Sequence, residues 1–277
     1  MEVQRLADTA EQLIVSQWDD FMDGYGRATA RRKRDGSPVT DTDENIESRL
    51  HTLLEKETGI AAVGEETIGC VSSRGEEVAR LHDAVEGLCY WVVDPIDGTS
   101  NYLRGNPSCA ILGVLISNER PLIGVTSLPA FETTITSIVG EGLTVTVRGD
   151  RRCFPMRKWG ADDGGEELVE ALVPDFLADT RRIVSGLIER PQPRLRISGC
   201  VGANLGLVAA AGVGTTVSMS PHVWDNGAGV CHLLARGAYV TDLRGNPWSI
   251  GSDGVIGGVE ETVKQLSASL RRIGRQQ

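Results

Sequence analysis

The sequence is poor in basic residues, and this scarcity excludes one large class of function. Its 277 residues contain 28 Lys and Arg against 38 Asp and Glu, a formal net charge of -10 at pH 7. A general nucleic-acid binder needs a basic surface to neutralise phosphates, so nucleic acid is not an expected partner. An acidic protein can nevertheless hold an anion if it also holds metal ions, because bound divalent cations are the largest local charges in such a site.

Paired cysteines and long apolar runs are also lacking. The six cysteines form no C-x-x-C pair and no Cys/His grouping with zinc spacing, so we expect isolated, mostly buried thiols in a reducing compartment. The longest apolar stretches are too short or too rich in glycine and alanine to span a bilayer, and the N-terminus lacks the order of a secretory signal. A cytoplasmic protein with no membrane partner is therefore expected.

The first half of the chain combines helices with strands. Helical spacing of apolar residues predicts one amphipathic helix over residues 1–24 and a second that begins after Thr40 and ends at Gly59. Five strand signals crowd together between Cys89 and Arg148, separated by turn residues, and are expected to form consecutive antiparallel strands.

The second half alternates helix and strand. The stretch 151–167 is rich in Gly, Asp and Arg and is the expected boundary between two domains. Beyond it, helices are predicted over 176–190 and 200–211, among other elements, and such alternation indicates an α/β layer. The prediction is an α/β protein, with an α+β domain over residues 1–150 and an α/β domain over 151–277.

The run from Trp91 to Tyr102 carries the strongest chemical signal. An apolar strand ends at Asp94, a proline turns the chain, and Asp97 follows three residues later. Two crowded carboxylates raise each other's pKa or require a cation, and with the carbonyl of Ile96 they offer three hard oxygen ligands. The amides of residues 98–99 would face an anion if a helix starts there. Taken alone, however, Asp-Pro and Asp-Gly are more often turn residues.

Acidic residues at two further places in the sequence favour a metal site over ordinary turns. Glu65 and Glu66 follow a predicted buried strand, and Asp225 stands at the start of a predicted helix. Each has an ordinary structural explanation, a solvated loop for the glutamates and a helix N-cap for the aspartate. Three acidic groups at strand ends or turns together indicate a multi-metal site.

Four ordered motifs give the chain a family resemblance that spans nearly its whole length. The motifs lie at residues 35–43, 64–66, 94–102 and 224–229, and the run Asp-Pro-Ile-Asp-Gly-Thr within the third is highly specific. On these motifs the sequence resembles the magnesium-dependent, lithium-sensitive phosphomonoesterases typified by inositol monophosphatase. The resemblance implies a layered αβαβα sandwich, inhibition by Li⁺ and a homodimer.

The resemblance also implies the metal ligands. One Mg²⁺ would be held by Glu65, Asp94 and the carbonyl of Ile96. A second would be held by Asp94, Asp97 and Asp225, with Asp94 bridging the two ions. A third, looser ion is expected near Glu65.

The resemblance also implies the catalytic and substrate-binding residues. Thr99, paired with Asp43 and assisted by Glu65, would orient and deprotonate the attacking water, while the amides of Gly98 and Thr99 bind phosphate. No Cys or His stands in the signature as a nucleophile, so no phosphoenzyme is required. The other residues expected at the substrate are Asp97, Gly199, Cys200, Ser218 and His222.

Several of these residues also have ordinary structural explanations. His222 can cap the helix instead of touching substrate, and a lone cysteine such as Cys200 is more often buried packing. Lys33 lies in a basic stretch that is expected to be a solvated loop. The segment between Glu66 and Asp94 is long and is a candidate flap over the site.

The substrate is the least defined part of the prediction. Inositol phosphatases typically carry an acid seven residues before the last metal ligand, and this chain has Ser218 there. The motifs at 35–40 and 102–107 are similar to the histidinol-phosphate phosphatase branch. The predicted function is Mg²⁺-dependent hydrolysis of a small phosphate monoester, an inositol or sugar phosphate first and histidinol phosphate second. A non-catalytic binding protein of the same fold is the alternative from another class.

Overall fold

The N-terminal region forms two helices where the sequence predicted one. The computed structural model describes residues 2–71, 73–85, 87–156, 159, 168–172, 194–212 and 214–274. Helix α1 spans Glu2–Val15 and α2 spans Trp18–Gly24. The side chains of Ser16 and Gln17 both donate to the carbonyl oxygen of Leu13. These local bonds accompany the break in the helix, so the prediction of one helix over 1–24 was wrong.

A small hairpin follows. Strand β1, Ala30–Arg32, pairs antiparallel with β2, Pro38–Thr40, across a stretch that the sequence predicted as a loop. Lys33 stands in the connection between the two strands. The hairpin leads directly into the next helix.

Helix α3 confirms the predicted helix in the first half. It spans Asp41–Thr58 and begins with a capping box, in which the Thr40 side chain accepts the N–H of Asp43 and the Asp43 carboxylate accepts the N–H of Thr40. It ends at Gly59, whose φ of 70° is in the left-handed region.

A seven-stranded sheet occupies the middle of the molecule. Its strands lie in chain order from β3 to β9, and only β3 and β4 are parallel. The predicted antiparallel strands are therefore confirmed, and β9 extends the sheet beyond them. The strands are β3 Ala62–Gly64, β4 Cys89–Asp97, β5 Ala110–Ser117, β6 Arg120–Leu128, β7 Thr133–Ile138, β8 Gly142–Val147 and β9 Asp150–Phe154. Three short helices connect them: α4 Glu65–Ile68, α5 Arg74–Ala84 and α6 Thr99–Leu103.

A second, five-stranded sheet comes from the C-terminal part of the chain. Its strand order is β11-β10-β12-β14-β13, with β10 parallel to both of its neighbours. The strands are β10 Leu168–Leu172, β11 Arg194–Arg196, β12 Thr215–Ser218, β13 Tyr239–Thr241 and β14 Val255–Gly258. The helices are α7 Val201–Ala211, α8 Val223–Ala235 and α9 Glu260–Gly274. The helix predicted over 176–190 lies outside the described residues, and the division into two domains stays a prediction.

Packing of these elements confirms the layered αβαβα sandwich. Helices α1 and α3 contact one face of the large sheet, and their apolar residues share a core with β4, β5 and β6. Helices α7 and α8 contact the other face and also the small sheet. Helix α9 covers the far side of β13 and β14. Burial of these continuous apolar faces is the main stabilising contribution to such a sandwich.

The segment that the sequence offered as a flap is packed into the molecule. Leu81 on α5 has no exposed surface, and Glu77 on the same helix has none either. The segment therefore supports the core instead of lying over the site as a free flap. In the described part of the chain, no helix has both the length and the apolarity to cross a bilayer. All six cysteines are free, but only Cys109, Cys200 and Cys231 are buried, fewer than predicted.

Candidate active site

The end of strand β4 carries two of the predicted ligands, Asp94 and Asp97. The register between β4 and β5 shifts between these residues, so the strand is irregular at this point. The carboxylate of Asp94 accepts the N–H of Ile96 at 3.0 Å, which holds the turn around the proline. Asp94 is 1% exposed and Asp97 6%, so both carboxylates lie in the interior of the site.

Asp94 is surrounded by other acidic groups. Burial raises its pKa well above the ordinary value, and the charges of Glu65, Asp97 and Asp225 raise it further. The pKa of Asp225 is raised as well, by burial and by the charge of Glu65. The other three acidic side chains that the sequence predicted as metal ligands thus lie near enough to Asp94 for their charges to act on its pKa.

Asp97 connects the signature to the second half of the chain. Its carboxylate accepts the N–H groups of Val201 and Gly202 at 3.2 and 2.6 Å and the thiol of Cys200 at 3.0 Å. Helix α7 has no side-chain cap of its own at Cys200, so Asp97 satisfies its first donors. Burial and the charge of Asp225 raise the pKa of Asp97 to about 7, although these hydrogen bonds act in the opposite direction.

Asp225 lies in the first turn of α8, whose N-cap is His222. The hydroxyl of Ser220 donates to the Asp225 carboxylate. The side-chain amide of Asn226 donates to the carbonyl oxygens of Ser220 and His222 at 2.7 and 2.9 Å, which fixes the turn before the helix. Burial raises the pKa of Asp225, while the nearby His222 and the Ser220 hydroxyl lower it.

Glu65 begins the short helix α4, and a buried glutamate on α3 holds that turn. The carboxylate of Glu47 accepts the N–H groups of Glu66 and Thr67 at 2.8 and 2.7 Å and the hydroxyl of Thr67 at 2.7 Å. A Cβ on Gly64 would lie 2.4 Å from this carboxylate, so the approach requires glycine. Glu65 itself is partly exposed and marks the solvent side of the acidic group.

Lys33 reaches the acidic group, contrary to the prediction of a solvated loop. Its ammonium lies 2.6 Å from Glu65 and 2.7 Å from Glu66, and its side chain is 11% exposed. Burial alone would lower the pKa of Lys33, but the two glutamates raise it above its ordinary value. Burial and the charge of Glu65 in turn raise the pKa of Glu66 to about 7, against the effect of Lys33.

The donor set fits a hard divalent cation. Among the described residues, no three Asp, Glu, His or Cys side chains lie close enough together, as they stand, to hold a metal ion. Hydrogen bonds from neighbouring groups instead hold the acidic side chains in place, as those to Asp97 and Asp225 do. Buried carboxylates whose pKa values are raised by one another are nevertheless the oxygen ligands that Mg²⁺ takes, and a cation would relieve their repulsion.

Thr99 and Asp43 have different partners from those predicted. The hydroxyl of Thr99 donates to the carbonyl of Ile96 at 3.0 Å. The carboxylate of Asp43 accepts the N–H and the hydroxyl of Thr40 at 2.8 and 2.6 Å. The Asp43 carboxylate, which the resemblance pairs with Thr99, is therefore part of the capping box of α3. Burial raises the pKa of Asp43 to about 6 despite these hydrogen bonds.

Gly98 stands where only glycine fits. Its φ is 80°, and a Cβ there would lie 3.0 Å from the carbonyl of Ser108 and 3.2 Å from the Cβ of Cys200. Gly98 is the N-cap of α6, which begins at Thr99, so the predicted helix start is present. The amides of Gly98 and Thr99 are placed at that start, beside Asp97.

A side chain of the signature anchors the predicted substrate turn. The amide of Asn101 donates to the carbonyls of Ser108 and Ser198, both at 2.8 Å. Ser198 directly precedes Gly199 and Cys200, and Cys200 has no exposed surface. The buried packing of this cysteine agrees with its ordinary structural explanation, and its thiol faces Asp97.

Ser218 and His222 take up structural contacts. Ser218 is 1% exposed, and its hydroxyl accepts the N–H of Ser220 at 3.2 Å. The ring of His222 is stacked on Trp224, with centroids 4.5 Å apart, and its Nδ1 lies 2.6 Å from Glu77. His222 is the N-cap of α8 by position, but its side chain makes no capping hydrogen bond.

Sequence reasoning missed the residues that support the ligands. Glu47, Ser220 and Asn226 hold the turns that carry Glu65 and Asp225. Their roles depend on contacts between distant elements, and no local pattern signals them. Position offered one clue for Glu47, since it lies four residues after Asp43 on the same helix and shares its buried face.

We expect Glu47→Ala to destabilise the protein by about 2 to 4 kcal/mol, because three donors lose a buried, charged acceptor. Glu47→Gln keeps one acceptor oxygen and should cost less. Denaturant unfolding measures both, with Glu55→Ala on the exposed face of α3 as the control. Equal stabilities of Glu47→Ala and the control would contradict the assigned role.

Comparison with known proteins extends over nearly the whole chain. The model of the inositol monophosphatase family matches residues 2–275. The inositol-1-monophosphatase ImpA of Mycolicibacterium smegmatis is 30% identical over 277 aligned positions, covering 95% of this chain and 92% of that protein. A histidinol-phosphatase of Mycobacterium tuberculosis is 35% identical over 149 positions, about half of each chain.

Solved structures share the fold. The inositol monophosphatase structure from Thermotoga maritima superposes with a TM-score of 0.78 and covers 97% of this chain and 98% of its own. Its sequence identity is 22%, so this likeness concerns the architecture alone.

Proposed function

Because this chain belongs to the inositol monophosphatase family, and is therefore a phosphatase that acts on phosphoric monoesters, we propose that it hydrolyses inositol 1-phosphate or a related sugar or polyol phosphate with Mg²⁺ as its metal. The observation that carries the proposal is the convergence of Glu65, Asp94, Asp97 and Asp225 at one partly buried site.

The proposed metal ligands are the side chains of Glu65, Asp94, Asp97 and Asp225 and the carbonyl of Ile96. Two ions are proposed, with a third, looser ion near Glu65 and with sensitivity to Li⁺. When bound, Mg²⁺ lowers the pKa of water and neutralises charge on a phosphate. Glu65 lies at the solvent side and Asp94 in the interior, which supports entry of the phosphate from the Glu65 side.

The remaining groups orient the reactants. Gly98 and Thr99 present backbone amides to phosphate oxygens, and the position of both at the start of α6 supports this role. The hydroxyl of Thr99 is proposed to orient the attacking water and the carboxylate of Glu65 to accept its proton. The pairing of Thr99 with Asp43 stays part of the proposal from the family resemblance alone, because each has another partner in this structure.

Several further properties remain part of the proposal. A homodimer is expected from the family resemblance. A cytoplasmic location is supported by the six free cysteines, because disulfides are rare in that compartment. Neither nucleic acid nor a membrane is proposed as a partner.

Histidinol phosphate is the second candidate substrate. The histidinol-phosphatase relative supports it, as do Ser218 in place of an acid and the motifs at 35–40 and 102–107. Both candidates use the same hydrolytic chemistry, so only a substrate comparison separates them.

A phosphate-release panel tests the proposal. Inositol 1-phosphate, fructose bisphosphate, histidinol phosphate and a nucleotide monophosphate are each supplied with Mg²⁺ or with chelator. We expect release that requires Mg²⁺, with the highest kcat/KM for a polyol or sugar phosphate. Preference for histidinol phosphate would select the second candidate, and no Mg²⁺-dependent release from any substrate would contradict phosphatase activity.

A further inference from the structure

A buried carboxylate outside the predicted ligand set reaches the start of helix α8. Glu77 lies on α5 and has no exposed surface. Its Oε1 accepts the N–H of Val223 at 3.0 Å, and its Oε2 lies 2.6 Å from Nδ1 of His222. One side chain thus holds two adjacent residues that are about 145 positions away in the sequence.

The two residues that Glu77 holds belong to the turn that places Asp225. His222 is the N-cap of α8, Val223 is its first residue, and Asp225 is its third. The ring of His222 is also stacked on Trp224, with an interplanar angle of 6°. A displacement of His222 or Val223 therefore moves the first turn of α8 and the carboxylate that it carries.

Charge gives a reason for a glutamate at this position. The N-terminus of an α-helix carries unsatisfied N–H groups and partial positive charge, and α8 receives no capping bond from the side chain of its own N-cap. The carboxylate of Glu77 supplies an acceptor from another element. A fully buried carboxylate is costly unless it is hydrogen-bonded, and the contacts to His222 and Val223 offset that cost.

We propose that Glu77 is a positioning residue for the phosphatase reaction: through His222 and Val223 it sets the place of Asp225 relative to Asp94. The inference rests on the proposed metal-dependent function and makes helix α5 part of the support of the metal site. Partners that orient metal ligands typically change metal affinity about 10- to 100-fold when they are removed.

The test compares the response to Mg²⁺ in the variants Glu77→Gln and Glu77→Ala. The control is Glu76→Gln, which removes the same charge one residue earlier, where Glu76 pairs with Arg80 on the surface. Two quantities are measured: the Mg²⁺ concentration for half-maximal activity, with kcat and KM separated, and the rise in melting temperature that Mg²⁺ alone produces. The second measurement needs no turnover.

We expect Glu77→Gln to need about tenfold more Mg²⁺ than the wild type and Glu77→Ala more still. KM for the phosphate ester should change less than the Mg²⁺ requirement, and high Mg²⁺ should restore most of kcat in Glu77→Gln. Mg²⁺ should raise the melting temperature of the variants only at correspondingly higher concentrations. Glu76→Gln should match the wild type.

A second variant keeps the inference testable if the Glu77 variants do not fold. His222→Gln changes a partly exposed ring and removes one of the two contacts of Glu77, so a weaker response to Mg²⁺ is expected, smaller in size than for Glu77→Ala. Folded variants whose Mg²⁺ responses stay within twofold of the wild type would overturn the role of Glu77 alone. A wild-type protein that responds to Mg²⁺ in neither measurement would overturn the proposed function, and this inference with it.

Discussion

Replacing Asp94 with asparagine is expected to lower kcat/KM by about 10³-fold or more and, in the presence of chelator, to leave the melting temperature unchanged or higher. Both effects have one cause. Asp94 is 1% exposed and faces the charges of Glu65, Asp97 and Asp225. An amide of the same shape removes that repulsion, but it also removes the charge that a metal ion requires.

The fold should tolerate this substitution. The side-chain oxygen of asparagine can still accept the N–H of Ile96, and the amide nearly matches the carboxyl group in shape. Phosphate release and thermal unfolding with EDTA or Mg²⁺ measure the two effects. Asp83→Asn, on the exposed side of α5, is the matched control. Activity within tenfold of the wild type, or a clear loss of stability in EDTA, would refute the assignment.

The melting temperature of the metal-free protein is expected to fall as pH rises from about 5 to about 8, and Mg²⁺ should remove most of that fall. The cause is the set of buried carboxyl groups with raised pKa values. Burial and like charge raise the pKa of Asp97 and of Glu66 to about 7, and burial raises that of Asp43 to about 6. The pKa values of Asp94 and Asp225 are raised in the same way.

The sign follows from proton binding. A carboxyl group whose pKa is higher in the folded state binds more protons folded than unfolded, between an unfolded pKa near 4 and the folded value. The stability that it contributes is complete below the unfolded pKa and is lost as pH rises through the folded pKa. For Asp43, a rise from 3.8 to about 6 corresponds to about 3 kcal/mol in all. About 1.4 kcal/mol of it, or roughly 3 to 6 °C in melting temperature, is lost between pH 5 and 8.

Bound Mg²⁺ should stabilise the folded protein at the pH values at which the buried carboxyl groups have lost their protons. A cation that binds only the folded state stabilises it, and it does so more strongly as the carboxyl groups ionise. Thermal unfolding at several pH values, with EDTA or with Mg²⁺, tests both halves of the prediction. A melting temperature in EDTA that is flat or increases between pH 5 and 8 would refute it. The same series on Asp94→Asn should show a shallower fall.

The fold was predictable where local signals agree with the final packing. Thr40, Asp43 and Gly59 mark the two ends of α3 by chemistry that needs no distant partner. Strand-forming runs separated by turn residues likewise predicted the antiparallel strands between Cys89 and Arg148, because turn residues mark the ends of strands locally. Strand β9 was missed because its residues are mostly exposed and polar, so it has no apolar pattern.

The sequence showed the acidic residues of the proposed site but not the residues that support them. Asp94 and Asp97 stand in one short motif, so the chemistry of two crowded carboxylates is visible in the sequence. Lys33 was wrongly placed in a solvated loop, because its contacts with Glu65 and Glu66 form only when the β1–β2 hairpin folds against α4. Glu77 was missed because its contacts with His222 and Val223 join elements that are far apart in the sequence.

Asp97 has a consequence for any attempt to redesign substrate preference. Its carboxylate is bound by the first residues of α7, and the substrate turn at Gly199 and Cys200 leads directly into that helix. Loop grafts that import this turn from a relative would therefore disturb the surroundings of a proposed metal ligand. If the proposed roles hold, directed evolution of new substrates should accumulate compensating changes around Asp97, because the proposed substrate turn and the proposed metal site share this carboxylate.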